Sequence, residues 1–120
     1  MAWLVSDARV LASAEVAADG AARRRGLLGR DHVDGALAID RCRWVHTIGM
    51  RFPIDVAHVD ADGVVVRTTT MKRHRIGLPA RGARMVVEAQ AGAFARWELR
   101  VGDPVELRFD ETDSLSPGAD

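Results

Sequence analysis

The stretch that decides the fold is FPIDVAHVDADGVVVRTT, residues 52–69. It consists of an apolar run at 52–59, an Asp-Gly pair at Asp62 and Gly63, and a β-branched run at 64–69. An Asp-Gly pair between two such runs is a strong hairpin signal, because glycine readily adopts the positive φ that a tight turn needs. The sequence therefore predicts an antiparallel pair of strands at the centre of the chain.

Alternation of apolar and polar residues predicts further short strands on both sides of this hairpin. Residues 10–16 are typical of a half-buried strand with 3–5 as its hairpin partner, and its buried side is expected to hold Val10, Ala12, Ala14 and Val16. Residues 36–39 form another apolar run. The last strands are expected at 85–90 and 104–109, with Val105, Leu107 and Phe109 facing inward. Helix signals are fewer, because only Asp19 is a clear N-cap, for a helix over 20–28 that ends at Gly29. Residues 93–99 add one or two helical turns.

These elements predict a mainly β (α+β) fold, a compact single-domain, barrel-like sheet of about five to seven short strands with one or two short helices. The length of 120 residues suits one domain, which we expect to span residues 1–109. Residues 110–120 carry four acidic residues and no basic one. Such a segment buries too little apolar surface to offset its ordering entropy, so we expect an acidic, mostly disordered tail.

Charge and composition limit the classes of partner. Seventeen basic residues balance seventeen acidic ones, so no net charge favours nucleic acid or an anionic membrane. No apolar run approaches the ~18 residues of a membrane span, and the first seven residues lack the features of a signal peptide. A single cysteine, Cys42, excludes an internal disulfide. We therefore expect a cytoplasmic protein with no membrane association, for which nucleic acid is an improbable partner.

Motifs for metals, cofactors and nucleophiles are absent from the sequence. The four histidines lie twelve to sixteen residues apart, and no HExxH or CxxC motif is present. No serine lies in a GxSxG motif, and no glycine-rich phosphate loop is found. Cys42 is more simply explained as a small packing residue than as a nucleophile. The sequence predicts no metal and no cofactor, and it favours a non-enzyme without deciding the question.

Two stretches without acidic residues, 41–54 and 67–84, hold many of the basic side chains. If they converge in the fold, they form a positive surface for a carboxylate, a phosphate or a nucleic-acid backbone. If they do not, they are two solvated loops. Both interpretations remain open at this point, although the basic runs lack interleaved aromatic residues for stacking on bases.

Residues 44–55 concentrate unusual chemistry, because a glycine, a proline and polar side chains lie beside apolar strands. Asp55 and Glu88 each lie within an apolar strand, where an unpaired charge is costly. Each carboxylate is therefore either part of a structural hydrogen bond or ion pair, or directed at a ligand. The candidate ligand-binding residues are His46, Thr47, Met50, Arg51, Asp55, Arg81 and Glu88.

Five blocks in order resemble a known family, the uncharacterised prokaryotic domain of unknown function 192 (DUF192). They are RRRGLLGR (23–30), HTIGMRFPIDV (46–56), DADGVV (60–65), VVEAQAG (86–92) and VGDPV (101–105). Many members of the family carry Trp-Met-Lys-Asn-Thr in the second block. This chain instead resembles a subgroup with a His-Thr-x-Gly-Met-Arg signature. The resemblance spans about residues 10–107 and implies a compact, mainly β fold. It implies no established activity, substrate or cofactor.

Three functional hypotheses follow. The first is non-catalytic binding of a small-molecule or peptide ligand, small or extended, in a polar pocket around residues 46–55. The second is a structural or interaction module that docks an acidic protein partner or RNA through the basic loops. The third is a hydrolase or lyase in which Asp55 or Glu88 works with His46 as acid and base.

Overall fold

Seven strands and two short helices form the structure, a computed structural model that describes residues 2–109. The helices are α1 (Gly20–Arg25) and α2 (Ala93–Trp97). The strands are β1 (Ala2–Ser6), β2 (Arg9–Ala17), β3 (Ala36–Asp40), β4 (Ile54–Asp60), β5 (Val65–Met71), β6 (Ala83–Gln90) and β7 (Glu106–Phe109). The mainly β fold with two short helices predicted from the sequence is confirmed. The acidic segment 110–120 lies outside the described residues.

The strands form one mixed sheet in the order β5-β4-β6-β3-β2-β1-β7. The hairpin predicted from residues 52–69 is the antiparallel pair of β4 and β5. All other neighbours are antiparallel except β2 and β3, which are parallel. Parallel strands need a crossover connection, and residues 18–35 with α1 provide it here. The crossover places α1 against one face of the sheet.

The two edge strands, β5 and β7, approach each other at one end only. Val64 and Pro104 form an isolated bridge, and the Val65 N–H donates to the Asp103 carbonyl at 2.9 Å. Pro104 has no N–H to donate, so it cannot extend a ladder there. In the part of the chain that the structure describes, the sheet is therefore barrel-like but not closed into a barrel.

Strand β4 is covered on both faces, since every residue from Ile54 to Val59 is buried. A strand that is buried along its whole length in this way is typical of a sheet packed on both sides. Ala57 and Val59 belong to the core that includes Phe94 of α2. Ile54 and Val56 belong to the other core, together with residues of the crossover and of the 45–52 segment. We call the latter surface of the sheet the α1 face; it is formed by Leu37, Ile39, Val56, Val86 and Glu88.

Helix α1 ends earlier than the sequence suggests. The predicted helix covers residues 20–28 and stops at Gly29, whereas the structure ends it at Arg25 with Gly26 as C-cap. Gly26 has φ of 51° and ψ of −127°, a positive-φ conformation that cannot continue a helix, and its N–H donates to the Ala22 carbonyl. Asp19 is the N-cap as predicted, and its carboxylate accepts from the Ala22 N–H at 2.7 Å.

Predictions about which side chains face inward are wrong at three positions. Val10 and Val16 are expected on the buried side of β2, but they are 59% and 37% exposed. The register with β1 shifts between Leu4 and Val5, so a bulge changes the phase of alternation in β2. Phe109 was expected to face inward, but it is 55% exposed at the end of the edge strand β7. Within residues 2–109, no helix is long and apolar enough to cross a membrane.

Candidate functional site

A cavity of about 400 Å³ lies between α1 and the α1 face of the sheet. Its floor comes from β3 and β6, which contribute Ile39 and Glu88. One wall is α1 with the turn after it, and the opposite wall is the 42–50 segment that follows β3. The apolar lining side chains include Leu27, Leu28, Ile39, Val45, Ile48 and Met50.

Glu88 is the most unusual group in this cavity. The residue is only 4% exposed, and its Oε1 has no hydrogen-bond partner among the described residues. Burial raises the pKa of Glu88 to about 7, although the positive charge of Arg30 acts in the opposite direction. The carboxyl group is therefore close to half-protonated near neutral pH, and it is able either to donate or to accept a hydrogen bond.

Gly26 leaves the space next to this carboxyl open. A Cβ atom at position 26 would lie 3.1 Å from Glu88 Oε1 and 3.8 Å from the Cδ1 of Ile39. The φ of 51° also disfavours any residue with a side chain. A glycine at the end of α1 thus serves two purposes, because it ends the helix and keeps the cavity open beside Glu88.

Three consecutive arginines form the positive rim of the cavity. Arg23, Arg24 and Arg25 occupy the last turn of α1, where basic side chains interact favourably with the helix carbonyls. Arg23 Nη1 donates to the Ala18 carbonyl at 2.9 Å, which fixes one of the three guanidinium groups. Because α1 buries none of its own residues, these guanidinium groups remain open to solvent. The rim can attract an anionic group on a ligand.

The 42–50 segment adds sulfur and aromatic groups to the other wall. The Cys42 Sγ donates to the Trp44 carbonyl at 3.2 Å. Burial raises the pKa of the Cys42 thiol, and the nearby charge of Glu88 adds to this effect while the Trp44 carbonyl opposes it. His46 Nδ1 accepts from the Ile48 N–H at 3.2 Å, and its ring lies 6.1 Å from that of Trp44. The thiol is therefore kept protonated, as expected of a packing residue rather than a nucleophile.

Thr47 connects this segment to the loop after β5. Its buried hydroxyl donates to the Lys72 carbonyl at 2.6 Å and accepts from the Arg75 N–H at 2.8 Å. Its own N–H donates to the Arg75 carbonyl at 2.7 Å, and its carbonyl accepts from the His74 N–H at 2.8 Å. All these partners are backbone groups, so Thr47 holds the wall in place, and it is not among the residues that line the cavity.

Asp55 is satisfied by the fold itself. Its Oδ1 accepts from the Thr70 hydroxyl at 2.7 Å, and its Oδ2 accepts from the N–H groups of Gly92 and Phe94 at 3.0 and 3.1 Å. The carboxylate therefore links β4 to β5 and to the start of α2, on the face opposite Glu88. Of the two buried acids noted in the sequence, Asp55 has partners among residues 2–109, and Glu88 Oε1 has none there.

The structure brings together three of the seven candidate residues predicted from the sequence. His46, Met50 and Glu88 line the same cavity. Arg51 is exposed and pairs with Asp31 at 2.8 Å, while Arg81 lies exposed in the turn before β6. Thr47 and Asp55 have the structural contacts given above.

Sequence reasoning missed the arginine rim and Gly26 as parts of a site. The signal was present in the run RRRG at 23–26, which was used only as a family signature. Its place opposite Glu88 depends on the crossover between β2 and β3, which no local pattern reveals. Among the described residues, no group of three histidine, cysteine or acidic side chains is arranged to hold a metal ion.

Comparison with known proteins gives a match along nearly the whole described chain. The model of the family DUF192, described as "Uncharacterized ACR", matches residues 3–107. Two proteins called UPF0127, from Pyrococcus abyssi and Pyrococcus furiosus, are each 36% identical over 62 residues. The match covers 52% of this chain and 53% of each relative, so the chain spans about half the length of the relatives it matches.

Two solved structures share the fold. A protein of unknown function from Novosphingobium aromaticivorans superposes with a TM-score of 0.75 over 88% of this chain and 82% of its own. A Sinorhizobium meliloti protein named as a "putative transcription regulator" gives 0.74 over 88% and 90%. Both are 22% identical in sequence, which supports a common architecture and nothing beyond it.

Proposed function

The chain belongs to the DUF192 family, and we propose that it binds a small zwitterionic ligand with an apolar side group in the cavity under α1, without transforming it. The ligand class that fits this chemistry is a free amino acid with an apolar side chain. The observation that carries the proposal is the buried Oε1 of Glu88, which lacks a partner among the described residues and lies at the cavity.

A buried polar atom without a partner costs about 1–3 kcal/mol, and an ionised one costs more. A ligand ammonium group that donates to Glu88 would remove this cost and would favour the ionised carboxylate. An ammonium donor suits a carboxyl group whose pKa lies near 7, because the positive charge would favour its ionised form. The interaction is charge-assisted and shielded from solvent, so it would be a major source of affinity.

The other walls account for the rest of the ligand. A carboxylate at the cavity mouth would meet the guanidinium groups of Arg23, Arg24 and Arg25. An apolar side chain would contact Leu27 and Met50, and methionine adapts its shape to different partners. A cavity of about 400 Å³ also lies within the usual range for small-molecule sites, roughly 300–1,000 Å³.

Binding without catalysis is favoured by what surrounds Glu88. Within residues 2–109, no hydrogen bond joins Glu88 to His46, although both line the cavity. The Cys42 thiol, which also lines the cavity, is kept protonated by burial and is therefore a poor nucleophile. An acid–base or nucleophilic mechanism would need such groups to be coupled.

The experiment is a calorimetric titration of the protein with leucine, phenylalanine and leucinamide at pH 8. We expect the two amino acids to bind and Glu88→Gln to weaken them at least tenfold, the size typical of a lost charge-assisted hydrogen bond. Leucinamide, which lacks the carboxylate, should bind more weakly than leucine. The matched control is Glu98→Gln, since Glu98 is exposed and outside the cavity.

Failure of all three compounds to bind would contradict the proposal, as would binding that Glu88→Gln leaves unchanged. Chromatography of the titration mixture after a day tests the non-catalytic part. Any conversion of leucine that depends on Glu88 would show that the protein is an enzyme.

A further inference from the structure

A second cavity of about 600 Å³ lies on the other side of Val45, beside the outer strand β5. Residues of β5 and of the loop after it form most of its lining, and His58 of β4 contributes from inside the sheet. Three cationic side chains belong to it, those of Arg67, Lys72 and Arg75. Among residues 2–109 no acidic residue lines it, and the stretch 67–84 contains none in its sequence.

Arg67 is the innermost of these cations. Its Nη2 donates to the Leu78 carbonyl and lies 3.3 Å from His58 Nε2, which fixes the direction of the guanidinium group. Its Nε is buried and has no hydrogen-bond partner in the part of the chain that the structure describes, and the same is true of His58 Nδ1. Among the described residues, no carboxylate forms an ion pair with Arg67. Arg67 is half-buried, and a guanidinium group partly removed from water normally has an anionic partner. Within residues 2–109 this group therefore lacks the counter-charge expected for it.

His58 does not supply that counter-charge. The residue is 3% exposed, and burial, with the neighbouring charge of Arg67, lowers the pKa of its imidazole to about 4. The ring is therefore neutral at physiological pH, and it contributes a polar surface without a charge of its own.

The remaining walls are apolar and unusually exposed. Ile76 and Leu78 are 69% and 74% exposed, although they flank a cavity that also contains Met71 and Val45. Exposed aliphatic side chains beside a ring of cations would bind a molecule that is apolar at one end and negatively charged at the other. An inorganic anion would leave these aliphatic side chains in water.

We propose that this second cavity binds a short aliphatic carboxylic acid, whose carboxylate pairs with Arg67 and whose chain packs on Ile76 and Leu78. Arg75 and Lys72, both exposed at the rim, would screen the carboxylate from water on its outer side. The site is independent of the one under α1, because it uses different charged residues and shares only Val45.

The test is a titration followed by amide chemical shifts, with acetate, hexanoate, hexanol and inorganic phosphate as probes. Each methylene that becomes buried should raise affinity about fourfold, so hexanoate should bind much more tightly than acetate. Hexanol lacks the negative charge and phosphate lacks the aliphatic chain, so both should bind weakly. The largest shifts should occur in β5 and residues 76–78.

Variants assign the site. Arg67→Gln and Arg75→Gln should each weaken hexanoate, the former by about tenfold or more. Arg75 is exposed, so its variant keeps the test valid if Arg67→Gln does not fold. Arg84→Gln, which removes the same charge from an exposed position outside both cavities, should have no effect.

Glu88→Gln separates this proposal from the preceding one, because it should weaken leucine and leave hexanoate unchanged. Hexanoate binding that Glu88→Gln abolishes would place the acid in the first cavity and overturn the second site. Phosphate binding as tight as that of hexanoate would contradict the proposed packing of an aliphatic chain on Ile76 and Leu78. Absence of hexanoate binding would refute the proposal entirely, and so would binding that survives Arg67→Gln and Arg75→Gln.

Discussion

Glu88 occupies the middle of β6, opposite Leu37 of β3 and Val56 of β4. Sequence alone identifies it as an acid within an apolar strand and predicts a need for a partner. The sequence does not show that, within residues 2–109, Asp55 finds partners and Glu88 Oε1 does not, because the partners of Asp55 come from β5 and the start of α2 through tertiary contacts. The distinction between an acid that the fold satisfies and one that it leaves without a partner is therefore visible only in the fold.

We predict that Glu88→Gln stabilises the protein increasingly as the pH rises. The pKa of Glu88 is about 7 in the folded protein, against 4.5 for a solvated carboxyl group, so the unfolded chain releases its proton first. Wild-type stability is consequently lost between about pH 4.5 and 7, by roughly 3 kcal/mol, whereas glutamine does not titrate. Urea unfolding at pH 4.5 and pH 8 measures this difference.

A matched variant controls for the loss of negative charge in general. Glu98→Gln should change stability by about 0.5 kcal/mol or less at either pH, since Glu98 is exposed. If Glu88→Gln showed the same small difference at both pH values, the carboxyl would be in contact with solvent and the description of the site would be wrong.

At the scale of elements, the strands could be predicted from the sequence, but the end of α1 and the order in which the strands pair could not. The β4–β5 hairpin followed from Asp62 and Gly63, and the remaining strands from alternation. The end of α1 at Gly26 was missed because two glycines, at 26 and 29, both fit a helix end. The parallel pairing of β2 and β3, which places α1 over Glu88, depends on contacts distant in sequence.

The Thr47 contacts are expected to hold two loops together. In Thr47→Val the side-chain shape is kept, but the Lys72 carbonyl and the Arg75 N–H lose the hydroxyl partner that the fully buried Thr47 side chain provides. Two such groups should cost about 2–4 kcal/mol of unfolding free energy. Chemical denaturation measures the loss, and Thr69→Val at an exposed position of β5 is the control.

The outcome that would contradict this is an equal effect of both valine substitutions. It would mean that the loops are held by the apolar contacts of Val45 and Met50 rather than by Thr47. We expect a large loss of unfolding free energy for Thr47→Val and little change for Thr69→Val.

For the whole molecule, two buried groups respond to pH in opposite directions. The pKa of His58 falls from 6.5 to about 4 on folding, so the unfolded chain binds more protons and stability is lost as pH falls through this window. Glu88, with its raised pKa, has the reverse dependence from about pH 4.5 to 7. From pH 4.5 to 6.5 the two contributions therefore largely cancel.

Removing one group at a time should reveal the other. Relative to wild type, His58→Gln should gain stability as the pH falls below 6.5, while Glu88→Gln should gain it as the pH rises. Thermal unfolding of both variants across pH 4.5–8 checks these opposite signs. Parallel profiles for the two variants would show that one of the groups does not titrate as the fold implies.

Helix α1 has six residues, none of them buried, and yet it forms a wall of the first cavity. So short a helix has little stability of its own, and a local opening of the crossover need not disturb the sheet. Amide hydrogen exchange should therefore be fast in α1 and slow in β4 and β6, and leucine should slow it in α1. Opening of α1, which forms a wall of the cavity, would then also let the ligand enter and leave. The rate of this opening would set the lifetime of the complex.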